Sequence, residues 1–147
     1  MPNGWDVYDY EVSMYLSTLG LCTRGEHNSH PHPIPNAIVE SLLLHTRILV
    51  DIFLSRDPEP DAVRLNELLP GFDSPELGAL RKVYGSAKDS GSPCWTINKR
   101  LAHSTTVRGG SFDYTVLVNA LGELLNPIIK SVQNERTDRA ASVLPKS

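Results

Sequence analysis

Between Ala37 and Leu54 the chain carries neither glycine nor proline, an unbroken run of about five helical turns. Asn36 stands just before it with a side-chain oxygen suited to capping the first turn. Projected at about 100° per residue with Glu40 as origin, Arg47 falls at about 340° and Asp51 at about 20°. These three make one narrow charged stripe, while Val39, Leu42, Leu49, Val50 and Phe53 occupy the opposite side. A helix apolar over most of its circumference needs neighbours on several sides, which predicts an all-α bundle with this helix in its middle. His45 lies between Ile38, Leu49 and Ile52 at about 140° on the same wheel, and an imidazole buried there requires a polar partner.

The flanking segments read as further helices. Tyr8, Val12, Tyr15, Leu16 and Leu19 recur at helical spacing, with Gly20 as a stop. Residues 24–35 hold Gly25, Pro31, Pro33 and Pro35 and predict an exposed loop. After the linker Asp57-Pro58-Glu59-Pro60, residues 61–69 offer a short helix ended by Pro70-Gly71. Ser74-Pro75 caps and opens a helix running to about residue 88, and Ser92-Pro93 repeats the device for a helix ending near Thr106, before Gly109-Gly110. Ser111 caps the last helix, marked by Leu117, Leu121, Leu124, Ile128 and Val132 and kinked at Pro127. The expectation is a bundle of four to five main helices forming one domain over residues 1–135, with a flexible polar tail over 136–147.

At 147 residues and 40% hydrophobic content, the chain is long enough to bury one core. Its net charge of -3 provides no global basic field, so any contact with nucleic acid must be a local patch. The apolar stretch over residues 38–54 is interrupted by Glu40, His45, Arg47 and Asp51, which argues against a membrane span. The start, Met1 to Asp6, lacks the basic and apolar regions of a secretory signal. Cys22 and Cys94, far apart in sequence, read as two reduced thiols, and the expected compartment is the cytoplasm.

Chemistry concentrates in residues 92–108. His103, Asn98 and Lys99, with Arg108 arriving from the following loop, can line a cleft against His45 or Arg47, with Arg100 beside them. There a neutral imidazole can move a proton and a cation can stabilise charge developing on phosphorus. The plainer account makes Asn98 and His45 satisfied core polars and Lys99, Arg100 and Arg108 a solvated face. The stripe of Glu40, Arg47 and Asp51 is likewise either a polar network that orients the helix of residues 92–108 or an exposed ion-pair face, one that a partner covers if the chain dimerises. His27, His30 and His32, with Cys22, have spacing that invites a metal, but Pro31 and Pro33 extend the loop and no second ligand cluster accompanies it. No metal or other cofactor is expected.

Two segments carry a resemblance: Glu40-Ser41-Leu42-Leu43-Leu44-His45-Thr46-Arg47-Ile48-Leu49-Val50-Asp51-Ile52-Phe53, and Ile97-Asn98-Lys99-Arg100-Leu101-Ala102-His103 followed by Arg108. Together they resemble uncharacterised bacterial proteins related to the HEPN superfamily, over roughly residues 36–129. That resemblance implies a helical bundle, often dimeric, acting as a metal-independent ribonuclease in bacterial defence or stress, or as an inactive binding partner in such systems. The family signature places an arginine, a polar residue, three further positions and a histidine on one helix. His103 matches its histidine and Lys99 its polar position, while Asn98 stands where the arginine belongs and Arg100 is three residues before His103. The competing class is a protein-interaction or oligomerisation module without chemistry.

Overall fold

In the computed structural model, residues 3–102 and 113–143 are described. The helices are α1 (Gly4–Thr23), α2 (Ile34–Leu54), α3 (Leu65–Leu68), α4 (Pro75–Tyr84), α5 (Pro93–Ala102) and α6 (Tyr114–Val143), with a 3-10 turn at Glu26–Ser29. The protein is an all-α helical bundle, and the described residues contain no strand.

Helix α2 is the hub: α1, α3, α4, α5 and α6 all touch it. Leu42, Leu49, Val50 and Phe53 are buried as the wheel requires, each at most 3% exposed. Its start differs from the expected cap at Asn36. Pro33 is the N-cap and Pro35 lies in the first turn, where a missing N–H leaves no helical bond unmade. Its end is marked by Ser55 in the left-handed region (φ 52°), with Arg56 N–H donating back to the Asp51 carbonyl at 3.0 Å.

Helix α1 begins at a reciprocal cap in which Asp6 N–H donates to Asn3 Oδ1 at 2.9 Å and Asn3 N–H to Asp6 Oδ2 at 3.1 Å. It runs past Gly20 to Thr23, because the left-handed exit falls at Gly25 (φ 69°) instead. Leu16, expected on the buried face, is 46% exposed, whereas Tyr8, Glu11, Tyr15 and Thr18 form the buried stripe. Helix α4 ends at Tyr84, short of residue 88, because Gly85 turns the chain at φ 70°.

The polar tail is largely helix. Helix α6 continues through Pro127 to Val143, so residues 136–143, expected as a polar tail, are part of this helix. Their anchors are polar and distant in sequence. Arg136 Nη1 is 2.8 Å from Asp9 Oδ1, its guanidinium lies 4.1 Å from the Trp5 ring centre, and Arg139 Nη2 donates to the Pro70 carbonyl at 2.8 Å. No helix among the described residues is long and apolar enough to cross a membrane.

Candidate functional site

Arg47 and Asp51 are one turn apart on α2, on the side where α5 docks. Helix α5 is placed there by its own start and core face. Ser92 Oγ accepts Trp95 N–H at 3.2 Å, Pro93 occupies the first turn, and Ile97 and Cys94 are buried. That docking sets Asn98, one turn beyond Cys94, against the α2 stripe. Between them lies a cavity of about 250 Å³ lined by Arg47, Asp51, Arg56, Asp57, Tyr84 and Asn98, among others.

The remaining walls follow from two loop anchors. Arg56 Nη1 donates to the Gly85 carbonyl at 3.0 Å and its guanidinium lies 5.5 Å from the Tyr84 ring centre, tying the end of α2 to the end of α4. Arg64 Nε donates to the Asp57 carbonyl at 2.9 Å and its Nη2 to the Glu59 carbonyl, so one guanidinium holds the linker that supplies Asp57.

Burial pushes the Asp51 carboxyl above the usual aspartate value. Arg47 and Arg56 pull it back and Asp57 pushes it further up. Burial also pushes the Tyr84 phenol far up, helped by Cys94 and Asp51, so it remains protonated at any physiological pH. The site thus offers guanidinium donors, a neutral phenol, a primary amide and carboxylate acceptors around one space, a set suited to a ligand bearing both an anion and N–H or O–H donors.

The sequence-derived candidates divide. Arg47 and Asn98 line the cavity together. Arg47 and Asp51 are half-buried there and only Glu40 of the stripe is exposed, so the exposed ion-pair face, one of the two readings of the stripe, does not hold for Arg47 and Asp51. His45 faces α1 instead, 7% exposed, with Nδ1 2.6 Å from Glu11 Oε2, and takes no part in the cavity. Lys99 is half-buried on α5 with Nζ 5.8 Å from the Trp95 ring centre, and Arg100 is half-buried on the same helix; neither lines the cavity. His103 and Arg108 lie outside the described residues, as does Ser111; Asp113, whose Oδ1 accepts Thr115 N–H at 2.9 Å, caps the described start of α6.

The histidine loop is not uniformly exposed. His30 and His32 are on the surface, but His27 is 7% exposed, with Nε2 3.1 Å from Tyr114 Oη. Burial raises the half-buried Cys22 thiol, while its hydrogen bond with Tyr114 lowers it. Among the described residues, no group of three or more His, Cys, Asp or Glu is arranged to hold a metal ion.

Sequence reasoning missed Glu11, Arg56, Asp57 and Tyr84. Glu11 was detectable as a carboxylate in the i, i+3, i+7 stripe with Tyr8 and Tyr15. Arg56 and Asp57 carried no such signal, because a linker has no periodicity. Comparison of the chain with protein-family models, curated proteins and solved structures returned no match.

Proposed function

We propose that this bundle binds RNA in the cavity around Arg47, as a HEPN-like component of a bacterial defence or stress system working in the cytoplasm. The observation that supports it is the convergence of Arg47 and Asn98, from two segments of separate helices, on one cavity with Arg56. The guanidiniums take phosphate oxygens and the Asn98 amide takes a neighbouring polar group. Binding confined to this cavity is compatible with a chain of net charge -3. In the same proposal His103 is the proton-transfer group of a metal-independent cleavage, and Lys99, Arg100 and Arg108 supply cations that stabilise charge developing on phosphorus.

RNA cleavage in chelator by wild type and His103→Ala tests the catalytic half. Cutting by wild type alone supports it, and no cutting by either folded protein removes it. Binding of labelled single-stranded RNA by wild type and Arg47→Met tests the other half, which fails if the two bind alike.

One observation favours interaction between copies or with another protein. Tyr10 is 57% exposed and stands edge-on to His45 with ring centres 6.1 Å apart, while Leu44, next to His45, is 41% exposed, so two apolar side chains border the α1–α2 seam. A homodimer through this seam predicts a solution mass twice that of the chain, reduced by Leu44→Glu. A monomeric mass for wild type at assay concentration excludes it.

A further inference from the structure

Building on the binding role proposed for the Arg47 cavity, we infer that the site accepts a cytidine nucleotide, its phosphate on the Arg47 side and its base in an adjoining apolar chamber. That chamber, about 100 Å³, is walled by Val7 of α1, Ile48 and Ile52 of α2, and Ala62 and Val63 of the linker. Asp51 and Asp57 line both spaces, so the guanidiniums and the aliphatic side chains lie on either side of this pair of carboxylates.

Each part of the ligand follows from a wall. Arg47 and Arg56, donors without acceptor capacity, suit an anionic group, and Asp51 and Asp57 beside them suit a ligand that also carries N–H donors. The aliphatic chamber favours a flat, weakly hydrated ring, and its volume suits a single ring better than a fused pair. The shared carboxylates accept hydrogen bonds and donate none when ionised. An acidic side chain takes the exocyclic amine of cytosine, whereas uracil presents a carbonyl at the same position and sets acceptor against acceptor. The Arg64 bonds to the Asp57 and Glu59 carbonyls hold this wall before any ligand arrives.

Calorimetric titration of the full chain with cytidine, uridine and guanosine monophosphates and with inorganic phosphate tests the inference. Cytidine monophosphate is expected to bind about tenfold more tightly than the uridine nucleotide, and more tightly than the guanosine nucleotide. Ala62→Phe fills the chamber and is expected to bring cytidine monophosphate down to the affinity of phosphate while leaving phosphate binding intact. Asp57→Asn, half-buried in the linker, is expected to erase the preference for cytidine over uridine. Equal affinity for the two pyrimidine nucleotides, no binding of cytidine monophosphate, or a cytidine preference that survives Ala62→Phe or Asp57→Asn in folded protein overturns the inference. RNA binding that still depends on Arg47 would then leave the broader proposal standing, whereas RNA binding indifferent to Arg47→Met removes both.

Discussion

His45 and Glu11, 34 positions apart, meet across the α1–α2 seam with Nδ1 2.6 Å from Oε2 and both side chains 9% exposed. The partner that a buried imidazole requires is therefore supplied by the neighbouring helix, and the pair belongs to the bundle's architecture, on another side of α2 from the Arg47 cavity. Removing either member leaves the other buried without its bond. His45→Ala and Glu11→Ala are each expected to cost about 3 kcal/mol, lowering Tm by roughly 10 °C for a chain of this size. Glu11→Leu/His45→Leu, which removes both polar groups, is expected to recover much of that loss. Equal melting temperatures for wild type and His45→Ala in circular dichroism would sink the assignment.

Arg47 is the residue on which the binding proposal turns. Arg47→Met keeps the aliphatic stem and removes the charge, so the helix content is expected to persist while RNA affinity falls at least about tenfold. The slope of log affinity against log salt is expected to drop by about one, as for loss of a single phosphate contact. A large loss of affinity with an unchanged slope would mean that Arg47 shapes the cavity without touching phosphate.

Asp51 gives the site a pH signature. Its folded-state carboxyl is raised above 3.8, with burial the largest cause, so ionisation is disfavoured in the folded chain relative to the unfolded one. Below 3.8 the carboxyl is protonated in both states and contributes no penalty. As pH rises through the window between 3.8 and the raised folded value, the folded state is progressively destabilised, and above that window the penalty is constant. Asp51→Asn is therefore expected to melt higher than wild type at pH 7, with the gap closing as pH falls towards 3.8. A lower melting temperature for Asp51→Asn at pH 7 would show that attraction to Arg47 and Arg56 outweighs burial.

The parts of this molecule that were legible in the sequence are those governed by local periodicity. Helix α2 could be read because eighteen consecutive residues lack a breaker and their apolar positions agree with one burial pattern. Arg47 and Asn98 were each recognisable as polar residues on otherwise apolar helices, but their meeting depends on how α5 docks. Glycine was an ambiguous signal. Gly20 is an ordinary helical residue, while Gly25 and Gly85, at positive φ, are the real exits. The end of α6 reads as a flexible tail because its polarity resembles disorder, although Arg136 and Arg139 find acceptors on α1 and after α3. Such long-range polar contacts have no period to betray them.

Two glycines of the α4 region predict opposite outcomes for the same substitution. Gly85 sits at φ 70°, and a Cβ built there would come 2.8 Å from Ser92 Cβ, in the turn that delivers α5 to the cavity. Its carbonyl also accepts from Arg56, so displacement of this turn reaches the site wall. Gly85→Ala is expected to cost about 2 kcal/mol from this positive-φ backbone alone, whose ψ of -151° is essentially confined to glycine, and more from the contact, with weakened RNA binding as α5 shifts. Gly78 lies inside α4 with nothing within 4 Å of a built Cβ. Gly78→Ala is expected to gain about 0.5–1 kcal/mol by reducing the freedom of the unfolded chain, leaving RNA affinity unchanged. Chemical denaturation measures both, and the pair separates backbone demand from a general intolerance of α4 to substitution. A loss of stability at both positions would mean that α4 packs more tightly than its exposed Gly78 indicates.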